Sequence, residues 1–568
     1  MSNAIFTTES AYRYPLLIKN LLFSPVVDNP DREIVYRGAV RFTYRQFRER
    51  VRRLASALGK IGVRPGDTVA VMDWDSHRYL ECFFAVPMIG AVLHTVNTRL
   101  SAEQLVYTIS HAEDTVIIVN AEFLPILDQI KGRIDTVKKF VLIDETGALP
   151  AAAPGGIPTA APGGIPTAAP GGIPTAQFVG EYEALVAAAD PIAEFPDLDE
   201  NTRATTFYST GTTGMPKGVY FSHRQIVLQT LATIATLGTT VTQGRFHQDD
   251  VYMPLTPMFH VHAWGIPYVA TMLGVKQVYP GKYVPEILLK LIAGEKVTFS
   301  HCVPSILYML VSSPAGAGVD LSGWKVLIGG SALPRAVAIA ALKRGVDVAV
   351  GYGLSESCPV LTLSQLTNEQ LKLGIEEQTD LRCRTGRPFA LVDLKVIDEK
   401  GKEVPRDDKT SGEIVVRAPW LTQGYLKDRT NSERLWEGGW MHTQDIACRN
   451  AAGSIRITDR SKDIIKVGGE WLSSLELEDI LSAHHAVAES AVVGQPDVTW
   501  GEIPVGLVVL KKDQKATEKE LSAHVKNYAD KGVLPREAFL MKVRFVDAIE
   551  KTSVGKINKV ALRAKYIS

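Results

Sequence analysis

Residues Tyr208-Ser-Thr-Gly-Thr-Thr-Gly-Met-Pro-Lys-Gly-Val219 crowd hydroxyls and glycines between Ser209 and Gly214, ahead of a single cation, Lys217. Phosphate oxygens are bound by hydroxyls and by bare backbone N–H groups, and glycine lets the main chain approach them closely. A Walker A loop needs Gly-Lys followed by Ser or Thr and then a helix. Here Pro216 precedes the lysine, Gly218 follows it, and Val219-Tyr-Phe221 reads as a strand. The segment is therefore read as a phosphate loop of another kind. The rival reading, a plain solvated turn, has to be weighed against the rest of the chain.

Outward from the loop, helices and apolar strands alternate. Thr43-Tyr-Arg-Gln46 is a capping box, with Phe47, Val51, Leu54 and Leu58 following at helical spacing. Thr68 to Met72 reads as a buried strand, and a second unit runs from a helix at Ala102 to the strand Val116-Ile-Ile-Val119. This pattern predicts an α/β layered domain with largely parallel sheets, resuming after Pro196 and continuing to about Arg417. Residues 153–176 are three copies of Ala-Pro-Gly-Gly-Ile-Pro-Thr-Ala. The period of eight is too short for a helical solenoid, and so much Pro and Gly buries no core, so a surface insertion without a function is expected. Asp459-Arg-Ser-Lys-Asp463 reads as a polar turn after a strand over Ser454 to Thr458. Beyond it lies an α+β region: a helix over Glu476 to Ala483, strands at Ala491-Val-Val493 and Val505 to Leu510, and a helix capped by Thr517-Glu-Lys-Glu520. The expected division is a large domain over 1–461 and a small one over 462–568.

At 568 residues the chain is too long for one core. Lys plus Arg and Asp plus Glu are both 62, and this balance argues against a nucleic acid or an anionic membrane as main partner. Five scattered cysteines without Cys-x-x-Cys suggest neither a disulfide framework nor a zinc site. No signal peptide is read at Met1, and the apolar run from Cys82 to Leu93 falls short of a spanning helix. A soluble cytoplasmic protein is expected.

Four further segments carry chemistry. Gly351-Tyr-Gly-Leu-Ser-Glu356 sets a carboxylate after a glycine-flanked aromatic, enough to stack a flat ring and to hold Mg²⁺ through oxygen. Trp440-Met-His-Thr-Gln-Asp445 offers Asp445 at a strand end for ribose hydroxyls. Asp459-Arg-Ser-Lys-Asp-Ile-Ile-Lys-Val-Gly-Gly-Glu470 supplies cations and a glycine pair, and Lys551-Thr-Ser-Val-Gly-Lys556 ends on a lysine near the C-terminus. Each alone is as well explained by a turn or a basic tail.

Taken together and in this order, the five segments resemble the adenylate-forming superfamily: acyl-CoA synthetases, peptide-synthetase adenylation domains and beetle luciferase. The resemblance covers the chain outside the repeats. It implies a two-step reaction, carboxylate plus ATP giving acyl-adenylate and pyrophosphate, then displacement of AMP by a thiol. It implies that Ser209, Thr210, Gly211, Thr212, Thr213, Gly214 and Lys217 hold the β- and γ-phosphates, with Glu356 and Ser209 on Mg²⁺. Gly329, Gly330, Ser331 and Ala332 would face the adenine with Gly351, Tyr352 and Gly353. Ser355, where Thr is commoner, and Ile457 belong to the same nucleotide site. Asp445 would take the ribose hydroxyls, helped by Arg460. Lys556 matches the lysine that bridges carboxylate and phosphate. The small domain would then swing about Lys462 as hinge, exchanging Lys556 for Lys466, Gly468, Gly469, Glu470 and Trp471, where the glycines admit the pantetheine arm. Glu550 departs from the usual Pro or Arg with little expected consequence. A homodimer through the large domain is carried by analogy.

For the acid, Pro257-Met-Phe-His-Val-His-Ala-Trp264 falls where this family builds the pocket entrance. His260 and His262 are read on one face of a strand; a metal pair there lacks a third ligand of suitable spacing. The resemblance gives His260 the carboxylate end, with Val261, Trp264, Val303 and Gly330 lining the acyl pocket. Trp264 and His94-Thr-Val-Asn-Thr-Arg-Leu100 resemble the medium- and long-chain fatty-acid branch and the methylmercaptopropionate ligases. No counter-charge for a second polar group is evident, so an apolar monocarboxylic acid is expected, a medium-chain fatty acid first. Trp264 and Tyr308 could equally close around a compact ring or a short chain, so an aromatic, alicyclic or short thioether acid is the alternative. An adenylation module loading a carrier protein is the alternative of another class. A non-catalytic regulator is argued against by the intact polar groups, Lys556 included.

Overall fold

The computed structural model describes residues 8–145, 178–209, 215–240, 244–468, 470–531, 534–552 and 557–567. The repeats, Thr210 to Gly214, Gly469 and Lys556 lie outside the described residues.

Two large sheets organise the first four hundred residues. The first runs Phe178–Glu181, Lys139–Ile143, Asp114–Asn120, Thr68–Met72, Val92–Thr95, Arg203–Ser209, Lys217–Ser222. Every neighbouring pair is parallel except the last, the hairpin that joins Ser209 to Lys217. All five residues of Thr68–Met72 are buried, as expected of a parallel strand covered on both faces. The second sheet has nine strands. Its middle, Lys276–Tyr279, Val251–Leu255, Phe299–Cys302, Lys325–Ile328 and Asp347–Gly353, is parallel. Between the sheets lies the helix His77–Met88, buried along its whole length. A helix covered on all sides sits in a core and not at a surface.

The sequence expectation of helix–strand alternation up to Arg417 holds only to Gly353. Val360–Leu363 turns back antiparallel, and Asp393–Ile397, Gly412–Arg417, Met441–Arg449 and Ile455–Arg460 form a separate antiparallel sheet. A last sheet combines Ile465–Val467, Glu470–Leu472, Val487–Asp497, Gly501–Leu510 and Lys542–Phe545 with the helices Ser474–Ser482 and Glu518–Asp530. Its core, around Ile465, Leu477, Val492, Leu521 and Val543, is separate from that of the large sheets.

Local signals fix many boundaries. Complete capping boxes start the helices Tyr44–Lys60, Ala102–Ala112, His223–Gly238 and Glu518–Asp530, from Thr43, Ser101, Ser222 and Thr517. Each such cap contributes about 1 kcal/mol. Where the repeats leave and rejoin the fold, one buried guanidinium joins the two ends: Arg78 Nη1 donates to Glu145 at 3.0 Å and its Nε to Glu183 at 2.7 Å.

The carboxyl ends of parallel strands from both sheets touch, and open α/β sheets place ligands at such ends. Asp75, three residues past Met72, bridges there to Gly281 of the second sheet, whose N–H donates to the Asp75 carbonyl at 2.9 Å.

Candidate active site

The hairpin expected to bind phosphate is closed by the pairing of Ser209 with Lys217, whose carbonyl accepts from Ser209 Oγ at 3.4 Å. Lys217 Nζ lies 4.5 Å from the centroid of the Tyr425 ring. The Tyr425 hydroxyl in turn donates to Glu356 Oε1 at 2.8 Å. Tyr425 is held by its backbone bridge to Val219 and by Leu426 N–H donating to Gly218 O at 2.8 Å. Burial and then the Glu356 charge raise the phenol's pKa, so it stays a donor throughout the neutral range. Tyr425 was missed from sequence because Leu421-Thr-Gln-Gly-Tyr425 has no pattern of its own; its role comes from being laid across the hairpin.

Asp445 and Arg460 are cross-strand partners, with Arg460 Nε 3.3 Å from Asp445 Oδ1. The Tyr352 hydroxyl donates to Asp445 Oδ2 at 2.7 Å. Asp445 is not at a strand end as expected: it lies inside Met441–Arg449, beside a register shift and after Gln444 with φ of 59°. That irregularity turns its carboxylate toward Tyr352. Tyr352 stands in the strand Asp347–Gly353 and Glu356 in the short helix Ser355–Ser357 directly after it, so the two groups of polar residues share one continuous segment. Asp459 and Arg460 are strand residues and not part of a turn; Asp459 is buried and accepts from Ser474 N–H and Oγ at 2.6 and 2.7 Å.

Gly329–Ala332 follows the strand Lys325–Ile328, and Gly351–Gly353 ends its parallel neighbour, so the two expected adenine segments lie side by side. A Cβ on Gly329 would come within 3.0 Å of Trp264 and 3.2 Å of Gly351 O, and one on Gly353 would overlap Pro359 O at 1.7 Å. Ser331 and Ala332 are exposed, and Ser355 opens the short helix carrying Glu356. Ile457 packs half-buried on the antiparallel sheet.

The expectation that His260 and His262 share a strand face is overturned. Val261, His262, Ala263 and Trp264 have φ of 48°, 54°, 48° and 58°, and Gly265 has 70°: a turn of left-handed helix. For residues with a Cβ this costs about 1–2 kcal/mol each. His262 is fully buried among Phe83, Phe207 and Tyr268, and burial lowers its pKa to about 3, so it is a neutral core imidazole. His260 stays half-buried at the turn's start. Trp264 packs on His301 at 5.1 Å, and His301 is itself fixed by Tyr252 at 2.8 Å and Thr256 at 3.1 Å. Around Trp264 the cluster is apolar, with Leu327, Ala349 and half-buried Val303. Tyr308, in contrast, is 57% exposed on the outside of its helix and closes nothing.

At the expected hinge, Lys462 is flanked by contacts from the C-terminal helix Lys559–Tyr566: Arg563 pairs with Asp463 at 2.9 Å and donates to Lys462 O at 3.4 Å. Burial, then Arg460, lowers the Lys462 pKa. Lys466 Nζ lies 5.6 Å from the Trp471 ring, and Glu470 and Trp471 are exposed. Gly468 has φ of 59°, and a Cβ there would approach the Trp500 ring to 3.1 Å. Trp500, 37% exposed beside that glycine, was not singled out from sequence. No group of three or more metal-ligating side chains occurs among the described residues, and no helix among them is long and apolar enough to cross a membrane.

Residues 23–426 match the AMP-binding enzyme family and residues 476–556 match the AMP-binding enzyme C-terminal domain. The chain is 39% identical over 530 residues to a long-chain-fatty-acid–CoA ligase of Thermus thermophilus, covering 93% of this chain and 90% of that protein. It is 37% identical over 563 residues to a 3-methylmercaptopropionyl-CoA ligase of Ruegeria lacuscaerulensis, covering 97% of each. Among solved structures, the anthranilate CoA ligase AuaEII in complex with anthranoyl-AMP superposes with a TM-score of 0.80 at 23% identity, covering 97% of this chain and 98% of the other; this likeness bears on fold alone. The chain belongs to the AMP-binding enzyme family, with its large α/β part and small C-terminal part. Within that family it is an AMP-forming acyl-CoA ligase, and ATP and CoA are its co-substrates.

Proposed function

We propose that this ligase activates an apolar monocarboxylic acid, a medium-chain fatty acid first, at the crevice formed by Lys217, Tyr425, Glu356, Tyr352, Asp445 and Arg460. The observation that carries the reading is the meeting of the Lys217–Tyr425–Glu356 group and the Tyr352–Asp445–Arg460 group on one continuous segment, Asp347–Gly353 and the short helix after it. A cation and a carboxylate suited to a metal–triphosphate stand at one side, and a carboxylate suited to a diol stands at the other. Lys217 neutralises phosphate charge; Ser209 and Glu356 offer a hard oxygen donor set that fits Mg²⁺. Bound there, Mg²⁺ would supply charge neutralisation on the triphosphate. Asp445 accepts the two ribose hydroxyls, with Arg460 and Tyr352 fixing its orientation. Gly329–Ala332 on one side and Gly351–Gly353, with the Tyr352 ring, on the other flank the flat base.

Lys556 brings the acid carboxylate to the α-phosphate, where charge gathers on non-bridging oxygens as the pyrophosphate leaves. A positioned cation lowers that barrier by preorganised electrostatics. The adenylate and the thiol then need the same space, so the part from Lys462 onward turns as a lid, and Lys466 to Trp471 takes the place of Lys556. The domain boundary is accordingly placed at Lys462, with a homodimer as the proposed assembly.

The apolar surroundings of Trp264 support an acid without a second charge. Relatives named for a long fatty acid and for a short thioether acid bracket a medium chain in length. The second reading, a short thioether acid, draws on the latter relative. The test is pyrophosphate release with ATP and Mg²⁺ across acetate, butyrate, octanoate, palmitate, benzoate and 3-methylmercaptopropionate, with and without CoA. A maximum at octanoate with turnover dependent on CoA supports the proposal. A maximum at the thioether acid replaces it with the second reading, and adenylate formation with no transfer to CoA favours loading of a carrier protein.

A further inference from the structure

The turn that carries His260 and Trp264 belongs to the second sheet, yet its backbone is pinned from the first. Asp75 Oδ1 accepts from Met258 N–H at 2.8 Å, and Asp75 Oδ2 accepts from the Tyr283 hydroxyl. One residue further along, the Phe259 carbonyl accepts from Thr95 Oγ1 at 3.0 Å. Two consecutive residues, Met258 and Phe259, are thus held by groups at the carboxyl ends of Thr68–Met72 and Val92–Thr95. Immediately beyond them the chain enters the left-handed run Val261–Trp264. Backbone held in such a sparsely populated region persists only where its surroundings over-determine it.

Asp75 is 4% exposed. The charged and titratable groups facing it are Tyr283, Arg99 and Asp73, with Tyr79, Tyr252 and Tyr279 near enough to feel its charge. No lysine or arginine forms an ion pair with it among the described residues, so a buried carboxylate is kept here for its two acceptor oxygens. A carboxylate in an apolar site is a costly acceptor; the strained turn it holds gives it a purpose.

We propose that Asp75 is a positioning residue for the acyl end of the site: through Met258 N–H it fixes the turn that aims His260 and Trp264. This rests on the reading of His260 and Trp264 as acyl-pocket residues. Its signature is selective. Loss of the acceptor displaces the acid and leaves Lys217, Tyr425, Glu356, Asp445 and Arg460, whose hydrogen bonds, ion pair and ring contact lie outside the turn, in place.

The test compares D75A, D75N and H260A by steady-state kinetics with octanoate and ATP, with melting temperatures in parallel. D75A is expected to raise KM for the acid at least tenfold with KM for ATP within twofold. D75N, whose amide oxygen can still accept from Met258 N–H and whose NH₂ can face the Tyr283 oxygen, is expected within threefold of the parent. If D75A alters both KM values together, or neither, or if D75N is as impaired as D75A, the proposal is overturned. Should D75A not fold, D75S, whose single short acceptor cannot reach both donors, carries the same comparison. H260A separates the two readings: unchanged acid KM in H260A refutes the pocket assignment, whereas an effect in H260A with none in D75A refutes only the role of Asp75.

Discussion

The Tyr425 hydroxyl donates to Glu356 Oε1 at 2.8 Å while its ring lies under the Lys217 ammonium, 4.5 Å away. One side chain therefore couples the phosphate lysine to the carboxylate proposed for the metal. A hydrogen bond to a charged group is worth about 1.5–3 kcal/mol, so Y425F, which keeps the ring, is expected to lower kcat about 10- to 100-fold in pyrophosphate release. Y425A removes the cation–π contact as well and should additionally raise KM for ATP. Wild-type rates in Y425F would remove this residue from the machinery.

Lys556 is expected to serve only the first half-reaction. K556A should lose adenylate formation about 10²–10³-fold, the usual effect of removing one positioned transition-state contact. Transfer to CoA from chemically supplied octanoyl-adenylate should stay within a few-fold. Equal losses in both steps would argue against an exchange of faces about Lys462.

Trp264 combines a left-handed φ of 58° with close packing on Gly329 and His301. W264G relieves the backbone, because glycine adopts positive φ without steric cost, and empties the indole volume. The kcat/KM profile over even-chain acids is expected to move toward longer chains by two or more carbons. An unmoved profile would place the pocket elsewhere.

Asp445 holds Arg460 and the Tyr352 hydroxyl in the structure described, at 3.3 and 2.7 Å. D445A should raise KM for ATP at least tenfold and leave KM for CoA within twofold. Its effect should shrink with 2′-deoxy-ATP, which lacks one of the two hydroxyls. No change in that ratio would speak against ribose recognition.

Burial raises the carboxyl pKa of Asp73 to about 6, and those of Asp75 and Asp479 to about 7. Folded values above unfolded ones mean that these groups favour the folded state fully below about pH 3.8 and that this contribution is lost as pH rises through 6 to 7. The buried Glu183 acts oppositely: Arg50 and Arg78 overcome its desolvation and hold its pKa well below 4.5, so its contribution is lost only in acid. Between pH 5 and pH 8 the melting temperature of D75N should therefore rise relative to that of the parent. A difference that does not change with pH would show that Asp75 does not titrate there.

Much of the architecture was legible in the chain because its signals are local. The capping boxes at Thr43 and Thr517, the apolar run Thr68–Met72 and the strand after Lys217 each depend on neighbours within a turn or two, and these are found as read; the boxes at Ser101 and Ser222 are equally local and emerge with the structure. Five polar segments in order were enough to indicate an adenylate-forming enzyme, because hydroxyls, glycines and single charges at those spacings have few other uses. Tertiary structure alone decided the rest. Tyr425 reaches Glu356 across 69 residues and Asp75 reaches Met258 across 183, contacts between loops of different sheets that leave no periodicity behind. The pairing of His260 with His262 on a strand failed for the same reason. Alternation along a sequence implies one face only while the backbone stays extended, and here hydrogen bonds from a neighbouring sheet hold it in a left-handed turn.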